Sequence, residues 1–582
     1  MKITTRIIIT MFIVIVFTVS CQDSFLEVNP TGSITNAQLT SANGLEGTLI
    51  GAYSMLLGRG GFYAGSTNWL WGSVMGGEAN KGTNSGDQAQ VNEIQAYSPQ
   101  ATNESVLDKY RVCYEGIARV NALLRLLPDA QATVSAATKT RLEAEGKFLR
   151  AHYYFELKKI FNNVPYIDET IDYGAGIDEV TNTADIWPKI EADFLFAYNN
   201  LPEEQSAAGR ANKWAAGAYL AKTYLYEGFL QSSQAKFQDA KDIFDDVIAL
   251  GKTANGQTYG LLDKYGDLFR IAGDNSKESV FSIQAASGTG TINNSNPDFV
   301  LNFPYNGGPA GCCGFNQPSF ELANSFRTSG GLPLLDGSYN NPGNELKTDQ
   351  GVAATDAFTP DAGEVDPRLD HSVGRRGIPY LDHGLHPGVA WIRDQNYGGP
   401  FAPKKFIWSK EEEATGGVDK SSWTPGYSSL NVMLIRFADV LLMAAEAEVE
   451  LGNLETARGL VNQVRARAAN PAGFVLDGAT PAADYVISQY TATWTDQALA
   501  RDAVRFERKL ELSGEGHRFF DLVRWGIAGP TLNAYLAYER TKVAATPFSG
   551  ASFVDPKARY MPIPQREIDI LGADVITQNP GY

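Results

Sequence analysis

The chain has 582 residues, and 43% of them are hydrophobic, with 57 glycines and 27 prolines, which is the composition of a folded globular protein rather than of a low-complexity tail. Its net charge of −17 repels phosphate backbones and anionic membranes and argues against a nucleic-acid-binding protein. Only 20% of the residues are charged while 11% are aromatic, so the surface suits neutral, hydroxyl-rich ligands better than ions.

The N-terminus has the layout of a secretory signal. Lys2 and Arg6 precede an almost entirely apolar run over residues 7–19, as in the positive and hydrophobic regions of a signal peptide. A helix of that length covers about 20 Å, which is short of the roughly 30 Å hydrocarbon core of a bilayer. We therefore expect this segment to be cleaved rather than kept as a membrane span.

Small Ser20 stands directly before Cys21, and this ending resembles the lipobox of bacterial lipoproteins, although Thr18 replaces the usual leucine. The resemblance implies a signal peptide over residues 1–20 and acylation of Cys21 with chains such as palmitate, which would anchor the protein firmly. Gln22 in place of aspartate resembles the sorting signal for the outer membrane. We expect residues 21–40 to form the lipidated tether and residues 41–582 to form a single domain.

Four cysteines occur in the whole chain, so no disulfide framework is predicted. Cys312 and Cys313 are adjacent in a glycine-rich loop, where they form either a vicinal disulfide or two thiols. Zinc is disfavoured because adjacent cysteines lack the spacing that brings both sulfurs to one tetrahedral ion.

Helical periodicity dominates residues 41–251. Apolar residues recur at spacings of three and four, and two of the segments end at Pro128 and Pro202. The predicted helices cover residues 107–127, 141–160, 187–201, 214–228 and 235–250. Two more helices flank Gly452-Asn453 near the C-terminus. Helix pairs with short turns and small residues at close approaches resemble tetratricopeptide hairpins, without a strict 34-residue period.

The character of the chain changes between about residues 252 and 435. Glycine, asparagine and proline crowd together and helical periodicity largely disappears. So long an irregular stretch in a compact domain is usually functional. The predicted fold class is therefore mainly α, with a tetratricopeptide-like helical hairpin scaffold over about residues 41–251 and 436–582 and a large loop-rich ligand-binding layer over about 252–435.

Several phrases along the chain are family-specific. They are EAEGKFLRAHYYFEL at 143–157, RFADVLLMAAEA at 436–447, EGHRFFDLVRW at 515–525, MPIP at 561–564 and QNPGY at 578–582. Together they resemble the SusD/RagB family of outer-membrane nutrient-binding lipoproteins, with Phe520 where tryptophan is usual. The resemblance extends from the lipobox to the last residue.

The resemblance implies a SusD-like α-superhelix with no catalytic activity and no cofactor. It also implies a lipid-anchored protein on the surface of a Gram-negative outer membrane. Such a protein binds an oligosaccharide or other glycan nutrient and delivers it to a SusC-like TonB-dependent β-barrel transporter. The family's binding residues come from the loop after the early helices and from the loop-rich middle.

Carbohydrate recognition requires aromatic faces against the C–H patches of a pyranose and polar groups around its edge. Candidate ligand-binding residues in the two loop regions are Trp69, Asn80, Asp87, Tyr305, Phe315, Trp391, Arg393, Tyr397 and Trp423. Trp391 is favoured among the tryptophans because Arg393 follows it closely and could bond hydroxyls. Each tryptophan has an alternative interpretation as packing within the loop layer.

The charged residues of the C-terminal phrases predict structural ion pairs instead of a ligand site. We expect buried pairs among these residues to hold the C-terminal helices together. The residues are Arg508, Glu515, Arg518, Asp521 and Arg524.

Other classes of function find weaker support. A glycosidase needs two carboxylates that flank one bond, and no spacing marks such a pair; the sequence also lacks the Gly-x-Ser-x-Gly, Walker and His-Glu-x-x-His motifs. Asp382, His383 and His386 form either a metal cluster or an ordinary turn. A peptide-binding RagB-like uptake lipoprotein and a tetratricopeptide interaction scaffold remain the alternative functions.

Overall fold

The computed structural model describes residues 34–171, 180–543 and 548–582. The predicted signal peptide, Cys21 and most of the tether lie outside the described residues. A short helix already occupies the end of the predicted tether, because the Thr35 side chain caps it by accepting a hydrogen bond from the Gln38 amide.

The first part of the chain is helical, as its periodicity predicts. Asn103 and Ser135 cap the two longest helices by accepting hydrogen bonds from backbone amides of the first turn. The helices are α1 (Asn36–Leu39), α2 (Ala42–Tyr53), α3 (Gln90–Gln95), α4 (Glu104–Leu126), α5 (Ala136–Phe161), α6 (Trp187–Asn200), α7 (Lys213–Gln231) and α8 (Gln234–Leu250).

Helices α4, α5, α6 and α7 each pack against the helix that follows them in the chain, up to α8. Two close approaches depend on glycine: a Cβ on Gly116 would lie 2.5 Å from the Tyr153 ring, and a Cβ on Gly228 would lie 2.7 Å from the Phe237 ring. Glycine therefore lets α4 approach α5 and α7 approach α8, as in tetratricopeptide-like hairpins.

The middle of the chain forms the loop-rich layer, with short elements between long loops. Its helices are α9 (Phe320–Ser325), α10 (Leu369–Ser372), α11 (Gln395–Gly398) and α12 (Lys410–Ala414). Its strands are β2 (Ser279–Ile283), β3 (Phe315–Pro318), β4 (Thr328–Ser329), β5 (Leu332–Pro333), β6 (Val373–Gly374), β7 (Ala402–Pro403), β8 (Val418–Asp419), β9 (Tyr427–Ser428) and β10 (Val432–Arg436), which follow β1 (Ala79–Gly82) of the first part. The strands form antiparallel two-stranded pairs, and β1 pairs with β3 across the long helical segment.

The C-terminal part returns to helices. They are α13 (Phe437–Glu450), α14 (Leu454–Ala468), α15 (Gln497–Glu511), α16 (Arg518–Arg524), α17 (Ala528–Glu539) and α18 (Gln565–Leu571), with the hairpin β11 (Leu476–Asp477) and β12 (Thr480–Pro481) after α14. Helix α13 packs against α8 as well as against α14 and α15. This contact joins the two helical parts into one scaffold, so the mainly α fold class predicted from the sequence is confirmed.

Buried ion pairs hold the C-terminal helices to their neighbours. Arg508 of α15 contacts Asp439 of α13 at 2.7 Å and Asp521 of α16 at 3.0 Å, and Arg524 contacts Glu446 at 2.6 Å. Arg508, Asp521 and Arg524 thus form the structural ion pairs predicted from the sequence. Arg518, which was expected to take part, lies instead over the Trp525 ring at 5.8 Å. Buried carboxylates need such partners to offset their loss of hydration.

Two apolar cores lie within the described residues. The large core runs through the helices and their contacts with the loop layer. The smaller core, which we call the satellite core, consists of Phe303, Tyr380, Ile392, Ala402, Ile407, Trp408 and Val418. None of the described helices combines the length and the apolar character that a membrane crossing requires.

Candidate functional site

The site is built on the strand pair β1–β3, which joins the early loop to the loop-rich layer. The Thr83 amide, directly after β1, donates a 2.6 Å hydrogen bond to the carbonyl of Gly314, directly before β3. Buried Lys81 orders the turn after β1, because its ammonium donates to the carbonyls of Asn84 and Asp87 at 2.8 Å each. Burial lowers the pKa of Lys81 to about 8.

Trp391 packs against the satellite core and remains half-buried. Its ring meets Tyr380 edge-to-face at 5.5 Å and His386 at 5.2 Å between centroids. Such contacts fix the orientation of a tryptophan that keeps part of its surface in solvent.

Arg393, Asp87 and Tyr305 meet beside Trp391. The Arg393 guanidinium donates to the Asp87 carboxylate at 2.5 Å and to the Thr83 hydroxyl at 2.9 Å, and it lies 5.1 Å from the centre of the Tyr305 ring. The Tyr305 amide donates to the Trp391 carbonyl at 2.9 Å. The arrangement places an aromatic ring, a cation and a carboxylate on one half-exposed patch.

Trp423 is connected to the loop after Tyr305 through its neighbour Thr424. Trp423 is 56% exposed, and its indole N–H donates to the Tyr427 hydroxyl at 3.2 Å. The neighbouring Thr424 hydroxyl donates to the Ala310 carbonyl at 3.1 Å. We call Asp87, Tyr305, Trp391, Arg393 and Trp423 together the aromatic surface.

Four of the nine candidate residues lie in the protein interior. Trp69 donates its indole N–H to the Phe62 carbonyl and packs edge-on against Phe315, and both rings are almost fully buried. Asn80 bonds Gly398 and Glu539, and Tyr397 donates its hydroxyl to Asn92 at 2.6 Å. Because buried rings and satisfied amides offer no free face to a surface ligand, we assign Trp69, Asn80, Phe315 and Tyr397 to packing behind the site.

The sequence did not single out Thr83, which bonds Arg393, or Tyr427, which bonds Trp423. Within the loop from Tyr305 to Phe315, the sequence also showed the adjacent Cys312 and Cys313 among glycines. These two cysteines form a disulfide, so the first of the two alternatives for this pair applies.

The proposed metal cluster of the turn at residues 382–386 does not assemble. The His383 Nε2 atom lies 3.0 Å from the Trp408 carbonyl oxygen, and His386 Nδ1 accepts from the Gly388 amide at 3.1 Å. Among the described residues no group of three potential ligands surrounds one point. The ordinary-turn interpretation therefore describes these residues.

Two cavities of substantial size lie away from the aromatic surface. One of about 480 Å³ lies between α4 and α18 and is lined by Tyr110, Tyr114 and Leu571; another of about 460 Å³ lies between α2 and β2. None of the nine candidate residues lines either of these two cavities. The aromatic surface is therefore distinct from both cavities.

Comparison with known proteins assigns the family. A sequence model described as the SusD family matches residues 277–582, and another, described as starch-binding associating with outer membrane, matches residues 25–225. SusD-like protein P25 of Formosa agariphila is 27% identical over 555 residues, which cover 89% of this chain and 90% of that protein.

The names of two other similar proteins mention a ligand. The starch-binding protein SusD of Bacteroides thetaiotaomicron is 26% identical over 478 residues, which cover 78% of this chain and 75% of that protein. The solved structure of a laminarin-binding SusD-like protein superposes with a TM-score of 0.63 at 24% identity, over 93% of this chain and 99% of that one, and shows a shared fold. Because the first sequence match alone spans more than half of its length, the chain belongs to the SusD family.

Proposed function

We propose that this protein is a lipid-anchored, cell-surface protein that binds an oligosaccharide and delivers it to a SusC-like TonB-dependent transporter in the outer membrane. The main observation that supports this proposal is the aromatic surface on a SusD-family scaffold. There, Trp391 and Tyr305 offer apolar ring faces beside the hydrogen-bonding groups of Arg393 and Asp87.

The chemistry of this surface matches a neutral sugar. A pyranose has apolar C–H patches on its faces and hydroxyls around its edge, so a ring platform with polar groups beside it contacts both. The Arg393 and Asp87 charges neutralise each other at 2.5 Å, so the patch gains little from a charged ligand. Starch and laminarin, named for similar proteins, are both neutral glucans, and they support this ligand class.

The position at the membrane is inferred from the sequence. Cys21 follows a cleavable hydrophobic segment, and the domain begins near Ala42, so about 20 residues separate the lipid from the scaffold. The description of the matched family model as associating with the outer membrane supports this location. Replacing Cys21 by alanine should release the protein from the membrane fraction and abolish labelling with radioactive palmitate.

A binding role rather than catalysis is proposed for the surface. Asp87, the carboxylate of the aromatic surface, forms an ion pair with Arg393, whereas a glycosidase needs one carboxylate and one carboxylic acid on opposite sides of a bond. Incubation with a bound glycan should therefore leave its length unchanged by chromatography. Shorter products would indicate a hydrolase.

Calorimetric titration tests the ligand class directly. We expect binding to laminarihexaose or maltohexaose, with weaker affinity after substitution of Trp391, and no binding to a panel of peptides of similar size. Affinity for peptides without affinity for any glycan would favour the peptide-binding alternative and overturn the proposal. Copurification with the β-barrel partner from detergent-solubilised membranes tests the delivery step.

A further inference from the structure

The disulfide between Cys312 and Cys313 lies in the loop that follows Tyr305 of the aromatic surface and has no role in the function proposed above. Backbone hydrogen bonds hold its inner side: the Cys313 amide donates to the Leu301 carbonyl, and the Gly314 amide donates to the Phe303 carbonyl. Cys313 is buried against the large core, while Cys312 is half-buried. Cys312 also packs against the large core, but of the two cysteines it is the one that keeps part of its surface in solvent.

The loop that carries the disulfide connects the parts of the aromatic surface. It begins at Tyr305, whose amide bonds the Trp391 carbonyl, and its Ala310 carbonyl accepts from Thr424, next to Trp423. A Cβ built on Gly314 would lie 3.5 Å from Tyr305 Cβ, which places the two ends of the loop in contact. The disulfide therefore lies in the chain between Ala310, which accepts from Thr424, and Gly314, which approaches Tyr305 Cβ.

Solvent reaches the outer side of this loop. Gly307 and Gly311 have positive φ angles of 88° and 67°, and a Cβ at either position would meet no atom within 4 Å. Glycine there is required by the backbone conformation, and it also leaves open space beside Cys312. Gly308 of the same loop lies close to the aromatic surface, because a Cβ on it would be 3.2 Å from Trp391 Cδ2.

We propose that the Cys312–Cys313 disulfide is part of the glycan-contacting face, where the half-buried Cys312 side packs against the C–H face of a pyranose next to Tyr305. This inference rests on the proposed function. The sulfur atoms and Cβ atoms form an apolar, polarisable patch without N–H or O–H groups, which resembles an aromatic face in what it offers to a sugar. The bond also fixes the loop before binding, which reduces the entropy lost when a ligand binds.

A purely structural role explains the disulfide less well. A cross-link stabilises a fold mainly by restricting the unfolded chain, and this restriction grows with the length of the closed loop. Here the two bonded residues are adjacent, so the closed ring is the shortest that a chain can form. Its effect belongs to the local shape of the loop rather than to the stability of the whole scaffold.

The double variant Cys312→Ser with Cys313→Ser tests the inference by calorimetry with laminarihexaose and maltohexaose. We expect affinity for the bound glycan to fall about fivefold or more, the size of a lost stacking contact. The melting temperature should change by about 2 °C or less. Cys113→Ala is the matched control, because Cys113 is a buried free cysteine of α4, and its affinity should equal that of the wild type.

Reduction of the folded wild-type protein provides a second test that needs no substitution. Tris(2-carboxyethyl)phosphine cleaves the S–S bond to two thiols and becomes the phosphine oxide, with oxygen and protons from water. We expect saturating glycan to slow this reaction, followed by alkylation and mass spectrometry, because a bound sugar covers Cys312. A disulfide that only supports the surface from behind would be reduced at the same rate with and without glycan.

The outcomes separate the two proposals. If the wild type binds glycan and both the double variant and the reduced protein bind it equally well, the disulfide is not a contact and the function stands. If reduction unfolds the protein, the bond serves global stability and the inference is overturned. If the wild type binds no glycan of the panel, the proposed function fails and this inference fails with it.

Discussion

Arg393 and Asp87 are 306 positions apart in the chain, yet their side chains form a 2.5 Å ion pair. The pair connects the turn after β1 with the segment just before α11. The guanidinium also donates to the Thr83 hydroxyl at 2.9 Å. Both side chains keep more than a quarter of their surface exposed. Their joint position, rather than either charge alone, presents a donor and an acceptor beside the Tyr305 ring.

The first prediction concerns this pair. Arg393→Met should reduce affinity for laminarihexaose or maltohexaose about fivefold or more, because it removes charge-assisted donors from the surface. The free energy of unfolding should change by about 1 kcal/mol or less, since exposed ion pairs contribute little. Calorimetry and urea denaturation measure the two effects.

Arg559→Met is the matched control for that variant. Arg559 forms a comparably exposed ion pair with Asp555, with 38% and 41% of the side chains exposed, outside the aromatic surface. We expect unchanged glycan affinity. Equal losses in both variants would indicate a general charge effect and would count against a site at Arg393.

The second prediction concerns Trp391. Trp391→Ala should weaken glycan binding by about 1–3 kcal/mol, the range for bases stacked on aromatic side chains. Some loss of stability should accompany it, because the ring also contacts Tyr380 and His386. Trp391→Phe, which keeps a ring face, should retain most of the affinity.

Trp69→Phe distinguishes a ligand contact from packing. Trp69 is buried against Phe315, so its substitution should lower the melting temperature while the folded protein keeps its affinity. If Trp69→Phe weakened binding as much as Trp391→Ala, the assignment of Trp391 to the ligand face would lose its support.

The contrast between Trp69 and Trp391 explains what the sequence could and could not predict. Helices α4 to α8 can be predicted from local information. Their apolar spacing lies within each helix, and the caps Asn103 and Ser135 lie at the helix ends. Whether a loop tryptophan is exposed depends on distant partners. Trp69 is covered by Phe315, and Asn80 is bonded by Glu539, 459 positions away. The sequence therefore predicted the scaffold and the two loop regions, but not which rings face solvent.

The third prediction concerns the buried ion pairs. Arg436 contacts Glu278 at 3.1 Å, Glu511 at 2.6 Å and Glu515 at 2.8 Å, and all of these side chains are buried. Arg436→Met would leave three carboxylates without this partner and should destabilise the protein by about 3–5 kcal/mol. Arg458→Met, which breaks a more exposed pair with Glu455, should change the stability far less in the same urea titration, because exposed ion pairs contribute little. Similar losses would show that the network is not structural.

The fourth prediction concerns the dependence of stability on pH. Glu539 of α17 is fully buried and accepts hydrogen bonds from the Glu321 amide at 2.9 Å and from the Asn80 amide group at 3.3 Å. Burial raises its pKa to about 7, well above the value of about 4.3 expected in the unfolded chain. The carboxyl group is therefore uncharged in the folded protein at mildly acidic pH.

The sign follows from proton linkage. Because the folded pKa is raised, the contribution of Glu539 to stability is complete below about pH 4.3, falls as pH rises towards about 7, and stays low above it. Glu539→Gln should reduce this fall, by an amount on the order of 2–3 kcal/mol between pH 5 and pH 8. Glu78, whose pKa burial also raises to about 7, offers a comparison, and Glu78→Gln should act in the same direction. Urea titrations at several pH values measure the effect, and an identical pH profile for the wild type and Glu539→Gln would mean that Glu539 is charged when buried.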